Sequence, residues 1–206
     1  MSRSRSRSGP GPARLRLGVL VSGAGTGLQN LIDRIADGRL RHVEIAVVIS
    51  SRSKAGAVKR AEAAGLPVEV IRVMDHPDVV RFSDQIALTL DVYDVNLVVQ
   101  AGWLCYWRLP SRWLGKTINV HPALLPRFGG KGHYGLHVHE AVLAAGERET
   151  GATVHWVDNE YDHGKIIARE TCPVSYGDTA EAIQDRVRAL EHKLLPTVIQ
   201  KLAPAR

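Results

Sequence analysis

Asn119 and His121 stand two residues apart at the end of the run Thr117-Ile118-Asn119-Val120-His121, which reads as a strand. Residues i and i+2 of a strand share a face, so an amide and an imidazole point the same way. That pair suits attack on a carbonyl carbon. The amide donates to the developing oxyanion, and the imidazole takes or gives a proton, or stabilises charge as imidazolium. An Asn-x-His pair taken alone is more often a structural hydrogen bond. Asp162 supplies a third group, in the polar stretch Asn159-Glu160-Tyr161-Asp162-His163-Gly164 just before the apolar Ile166-Ile167. Gly164 permits a tight bend there, and an isolated Asp-x-Gly turn has a structural reading too.

A second stretch suits an anion. Ser22-Gly23-Ala24-Gly25-Thr26-Gly27 lies between an apolar run of strand length and a helical pattern. Glycines let a backbone approach a phosphate, and a helix N-terminus supplies unpaired N–H groups and a favourable dipole. The dinucleotide version of this loop needs its third glycine where Leu28 stands, and an acidic residue some 20 positions on. The second strand ends instead in Ser50-Ser51-Arg52, and Arg52 could meet the 2′-phosphate of NADP. Phosphate, dinucleotide and a plain tight turn all remain open on this loop. Nine histidines raise the question of a metal. His137 and His139, with His133 nearby, lie at a helix start and face different ways, with no Cys or acidic partner at a metal-like spacing. A helix-capping or surface role is expected for them, and no metal.

The elements that must position these groups follow from periodicity. Strands are expected at Leu15–Val21, Val43–Ile49, Val68–Ile71, Leu97–Val99 and up to His121. Helices are expected over Leu28–Ala36, Ala55–Ala64 and Val79–Leu90. Strands apolar on both sides, alternating with helices, imply an α/β fold: a mostly parallel twisted sheet with helices on both faces. Ligands in such sheets sit beyond the carboxyl ends of the strands, which singles out the loops 22–27, 101–107 and 121–135. Pro122 and Pro126 stiffen the last of these. Thr153–Val157 and Lys165–Ala168 are expected to pair locally as a C-terminal antiparallel portion. Thr179–Leu202 reads as a closing helix that Pro196 should kink or break. Trp103, Tyr106 and Trp107 could stack a flat heterocycle or simply edge the core.

At 206 residues, 45% hydrophobic and 23% charged, the chain matches an ordinary globular protein. No stretch is apolar enough for a membrane span and no secretory signal is evident, so a cytoplasmic location is expected. Cys105 and Cys172 read as reduced thiols. Of the net charge of +6, five units arise in the first 16 residues, which hold five arginines and no acid, so the body is nearly neutral and no nucleic-acid partner is expected. Residues 1–13 are expected to be a disordered Ser/Arg-rich tail, although Ser-Arg repeats can also bind RNA or be phosphorylated. Residues 14–206 are expected to form a single domain.

Ser22-Gly23 with its following glycines, Ala101-Gly102-Trp103, Asn119-Val120-His121-Pro122-Ala123-Leu124-Leu125-Pro126 and Asp162-x-Gly164-x-Ile166-Ile167 resemble, in order and spacing, the phosphoribosylglycinamide formyltransferase family. The likeness runs from Arg16 through Glu191-His192 to Pro196. The resemblance implies a Rossmann-like formyltransferase fold. It also implies transfer of a formyl group from 10-formyltetrahydrofolate to the amine of glycinamide ribonucleotide in purine synthesis, with no metal. Asn119 would hold the oxyanion, His121 would stabilise the tetrahedral intermediate, and Asp162 would orient His121 and relay a proton. Gly23, Gly25, Thr26 and Gly27, with Pro122, would take the ribonucleotide phosphate end, and Glu191 the glycinamide end. Trp103, Leu104, Cys105, Tyr161 and Asp162 would flank the folate.

Three departures from that pattern stand out. Gly25-Thr26-Gly27 replaces Gly-Ser-Asn, Cys105 stands where an arginine is usual, and Phe128–Gly135 carries extra residues. Methionyl-tRNA formyltransferase shares the Asn-x-His motif but carries a further C-terminal domain, which is not expected at this length; formyltetrahydrofolate deformylase, which usually has an extra N-terminal domain, is the alternative within the class. An NADP-binding reductase or an inactive nucleotide-binding protein are the readings from other classes.

Overall fold

The computed structural model describes residues 14–204, so the expected Ser/Arg tail at 1–13 lies outside the described residues. Five parallel strands come first: β1 (Leu15–Val21), β2 (Val43–Ser50), β3 (Val68–Val70), β4 (Leu97–Gln100) and β5 (Thr117–His121). Two antiparallel strands follow, β6 (Glu149–Trp156) and β7 (Ile166–Pro173), and the sheet order is β3-β2-β1-β4-β5-β6-β7. The helices are α1 (Thr26–Ala36), α2 (Gly56–Ala63), α3 (Val79–Val92), α4 (Leu136–Ala144) and α5 (Ala180–Leu202). None of them is long and apolar enough to cross a membrane.

The apolar runs Leu17–Val21, Ile45–Ile49 and Leu97–Val99 within β1, β2 and β4 have the expected cause: both faces of the sheet are covered. On one face Leu17, Val19 and Val21 of β1 pack with Leu28 and Leu31 of α1, Ala57 and Ala61 of α2, and Ile183 and Val187 of α5. On the other, Leu20, Val47, Ile49 and Val98 pack with Phe82, Ile86 and Leu90 of α3 and with Trp107 and Trp113. Thr179 caps α5 through its hydroxyl, and Asp78 caps α3 by accepting from Arg81 N.

The C-terminal portion departs from expectation in two ways. β6 and β7 are eight residues each, longer than the apolar pattern suggested. The extra residues Glu149-Thr150-Gly151-Ala152 are small or polar yet pair with Gly151↔Thr171 and Ala152↔Glu170, so register rather than hydrophobicity extends the ladder. Pro196 does not break α5, which runs through it from Ala180 to Leu202. Proline interrupts a helix partly by orphaning the carbonyl four residues back. Here that carbonyl, of His192, accepts from Asn30 Nδ2 at 2.8 Å.

Candidate active site

The chain runs outward from β1 through β2 to β3, then returns to lay β4 on the other side of β1. The crevice at that reversal is where an open α/β sheet takes its ligands. A cleft of about 650 Å³ opens there, a size suited to small molecules. Gly23–Gly27 after β1, Gly102–Cys105 after β4, Asn119–Pro122 at the end of β5, the loop 130–135, Tyr161 and Asp162, and the stretch from Arg188 to His192 on α5 supply its walls. Every residue that the family resemblance assigns to catalysis, the ribonucleotide or the folate lines this cleft.

The glycine loop is held by Ser22, whose buried hydroxyl accepts from Ser51 Oγ at 2.7 Å and from Leu104 N at 2.9 Å. It thereby ties the ends of β1, β2 and β4 together. Gly25 caps α1 with φ 76° and no side-chain hydrogen bond. A Cβ there would lie 2.6 Å from Ala57, so only glycine fits. The α1 N-terminus therefore has no side-chain cap, and Gly25, Thr26 and Gly27 line the cleft there, a ready anion site. Gly27 is different: a Cβ would meet only Ala101 Cβ at 3.6 Å, so a side chain has room there.

Asn119, His121 and Asp162 do meet. β5 aims the first two at one face, and the 157–165 connection doubles back across it to bring up Asp162. Asp162 holds φ 54°, a left-handed conformation that Asp enters more readily than most residues, and Gly164 lets the loop close because a Cβ there would overlap Trp156 O. Asp162 Oδ2 lies 3.5 Å from His121 Nδ1 and accepts from Gly130 N at 2.9 Å. Asn119 Nδ2 lies 3.3 Å from Asp162 Oδ1.

A fourth member, His155 on β6, was missed from the sequence. It stands directly across from Asn119 in the antiparallel register, with its Nε2 at 3.2 Å from Asn119 Nδ2 and 3.5 Å from Asp162 Oδ1. The available signal was the polar pair Thr153 and His155, two apart on one face of the strand.

The two histidines share one arrangement. His121 Nε2 lies 2.8 Å from Phe128 O, and His155 Nδ1 lies 2.8 Å from Trp156 O. A carbonyl only accepts, so each of these nitrogens carries the hydrogen in the neutral ring. The other nitrogen of each ring then turns a lone pair toward Asp162, and His155 uses its own to accept from Asn119. Protonating either ring would convert a 3.5 Å contact into an ion pair with Asp162. Burial pushes the His121 imidazole below its usual value, and the charge of Asp162 and the Phe128 carbonyl offset this only in part. For Asp162 burial acts upward, but the contact with His155, the charge of His121 and the Gly130 N–H outweigh it and hold the carboxyl low. The resting site is thus a carboxylate flanked by His121 in its neutral form.

The cleft's other walls sort the remaining expectations. Glu191 faces it from α5, and burial raises its carboxyl to about 7, with Arg188 pulling the other way. Trp103 and Trp107 belong mainly to the core: Trp103 stacks on Phe82 at 6.2 Å, and Trp107 Nε1 donates to Ser83 O at 3.2 Å. Tyr106 instead packs on Tyr161 at 5.4 Å beside the half-exposed Leu104. His137 is exposed beside Glu140, as expected, but His139 is not a surface residue. α4 turns it inward at 1% exposure, and burial lowers its imidazole to about 4. Arg52 is exposed and does not line the cleft. Among the described residues no group of three or more His, Cys, Asp or Glu could hold a metal ion.

Fold and cleft define a class, and comparison with known proteins agrees: the family model described as formyl transferase matches residues 15–199, and the chain belongs to that family. Within it, the chain is 34% identical over 184 residues to the phosphoribosylglycinamide formyltransferase of Haemophilus influenzae, covering 88% of this chain and 84% of that protein. It is 37% identical over 187 residues to the human trifunctional purine biosynthetic protein adenosine-3, covering 90% of this chain but only 18% of that protein. The chain thus spans under a fifth of that relative. The crystal structure of glycinamide ribonucleotide transformylase 1 from Symbiobacterium toebii superposes with a TM-score of 0.85 at 35% identity, covering 92% of this chain and 88% of that one.

Proposed function

We propose that this protein transfers a formyl group from 10-formyltetrahydrofolate to the primary amine of glycinamide ribonucleotide, a step of purine synthesis, with residues 14–206 working as one domain. In the transfer the amine nitrogen bonds to the formyl carbon, the carbon releases the folate nitrogen, and a proton passes from the amine toward the leaving nitrogen. The observation that carries the reading is the meeting of Asn119, His121 and Asp162 in a cleft whose far wall is an uncapped helix N-terminus.

The roles implied by the family resemblance are ones the geometry supports. The α1 N-terminus, with Gly23, Gly25, Thr26, Gly27 and Pro122, takes the phosphate end, and Glu191 holds the glycinamide end. Leu104, Cys105 and Tyr161, with Trp103 behind them, flank the folate. Neutral His121 accepts a proton, and Asp162 stabilises the imidazolium that results. Asn119 spends both amide hydrogens on His155 and Asp162 in the resting site, so donation to the oxyanion takes over the longer of these, the 3.3 Å contact with Asp162. Releasing Asp162 from Asn119 as the charge on His121 develops couples the two events.

A spectrophotometric assay with a 10-formyl folate, run with and without glycinamide ribonucleotide, tests the reading. Folate release only with the ribonucleotide present supports transfer; release without it means a hydrolase, and none in either case rules the reading out. Asn119→Ala, His121→Ala and Asp162→Ala should each lower turnover by at least ~10²-fold with the fold intact.

A further inference from the structure

Pro196 lies buried inside α5, where its ring nitrogen carries no hydrogen and leaves the His192 carbonyl without a helical donor. The missing donor comes from a different helix. Asn30 Nδ2 donates to that carbonyl at 2.8 Å, and Arg34 Nε donates to Asn30 Oδ1 at 3.1 Å. The two bonds together fix which end of the amide faces α5, because only the NH₂ end can serve a carbonyl and only the oxygen can serve a guanidinium.

The placement of this bond matters more than its presence. Asn30 sits one turn beyond the glycine loop on α1, and His192 follows Glu191 on α5; Asn30, Glu191 and His192 all border the cleft. A single side-chain bond therefore joins the wall that carries the uncapped α1 N-terminus to the wall that carries Glu191. Those two walls, on the formyl-transfer reading given above, hold the two ends of the ribonucleotide. A proline-free helix would satisfy its own carbonyl and leave α1 and α5 joined at this point by apolar packing, which fixes spacing less sharply than a directional bond.

We propose that Asn30 is a positioning residue for the ribonucleotide, setting the distance between the phosphate cradle and Glu191 through the carbonyl that Pro196 frees. The proposal rests on the formyl-transfer reading, and the wild-type assay separates the two: absence of wild-type transfer sinks both, before any variant is made. With transfer established, Asn30→Ala should raise KM for glycinamide ribonucleotide by about three- to tenfold, the worth of one net hydrogen bond. Saturated kcat and KM for the folate should stay within about twofold, because the reacting groups lie on β5 and the 157–165 loop.

Pro196→Ala returns an N–H to the His192 carbonyl and distinguishes positioning from mere satisfaction of a buried acceptor. The double variant Asn30→Ala/Pro196→Ala should regain thermal stability relative to Asn30→Ala and yet keep a ribonucleotide KM about three- to tenfold above that of wild type, as should Pro196→Ala alone, whose helix takes the carbonyl from Asn30. If KM recovers together with stability, or if Asn30→Ala leaves the ribonucleotide KM within twofold of wild type, the proposal is overturned. Should Asn30→Ala fail to fold, the comparison of the double variant with wild type decides the matter alone.

Discussion

At the scale of single residues, the site is an exercise in sharing one carboxylate. Asp162 faces two imidazoles and an amide, and its conformation at φ 54° keeps it there. Since burial holds His121 below its ordinary value near 6.5 and Asp162 is the largest influence opposing that, the acid limb of kcat/KM should lie below pH 6.5. Activity is lost as pH falls through the His121 value, because the base is then already protonated. Asp162→Asn, which keeps the shape and tolerates a left-handed backbone, should move that limb to still lower pH as well as slowing turnover. A limb that stays put or moves upward would show that Asp162 does not act on His121 by charge.

At the scale of elements, the segments after β4 and after β6 depend on each other. Asn159 locks them: its Oδ1 accepts from Leu109 N at 2.7 Å, its Nδ2 donates to Leu109 O at 3.3 Å, and its carbonyl accepts from Tyr106 OH at 3.0 Å. Asn159→Ala should therefore loosen the proposed folate side of the cleft, raising KM for the formyl folate several-fold while the ribonucleotide KM holds. An equal rise in both would mean a general loss of order. These contacts explain what the sequence could and could not reveal. β1 to β5 and α1 to α3 were legible because apolar periodicity and glycine punctuation mark them. Asn119, His121 and Asp162 were legible through a local motif and the family resemblance. His155, Asn30 and the inward turn of His139 were not, because each owes its role to a partner far along the chain: cross-strand register, a carbonyl freed by a distant proline, the packing of α4. The survival of α5 past Pro196 belongs with them, since a rule about local backbone cannot foresee a donor that arrives from another helix.

At the scale of the whole molecule, α5 closes one face of the sheet and is anchored at its start by Asp178. That carboxylate pairs with Arg186 at 2.8 Å and accepts from Ser175 N at 2.7 Å, and the Arg186 bond chiefly draws its carboxyl down to about 2. A carboxyl lowered on folding stabilises the protein above its unfolded value near 3.8 and loses that contribution as pH falls toward about 2. Asp178→Asn should thus lower the denaturation midpoint at pH 7, and the gap to wild type should close between pH 4 and 2. A gap independent of pH would assign the loss to the hydrogen bonds rather than the charge.

The sheet order has a consequence for the chain as it is made. β1 leaves the ribosome first but belongs in the interior, between β2 and β4, so its open edge waits for residues 97–100 to emerge. One apolar face of the sheet, carrying Leu17, Val19 and Val48, waits longer still for Ile183, Val187 and Val198 of the last helix. Between the making of β1 and that of α5 the nascent chain therefore carries this face only partly covered, a state that invites chaperone capture. Because Glu191 arrives on that same helix, the cleft gains its last wall only as the core is sealed.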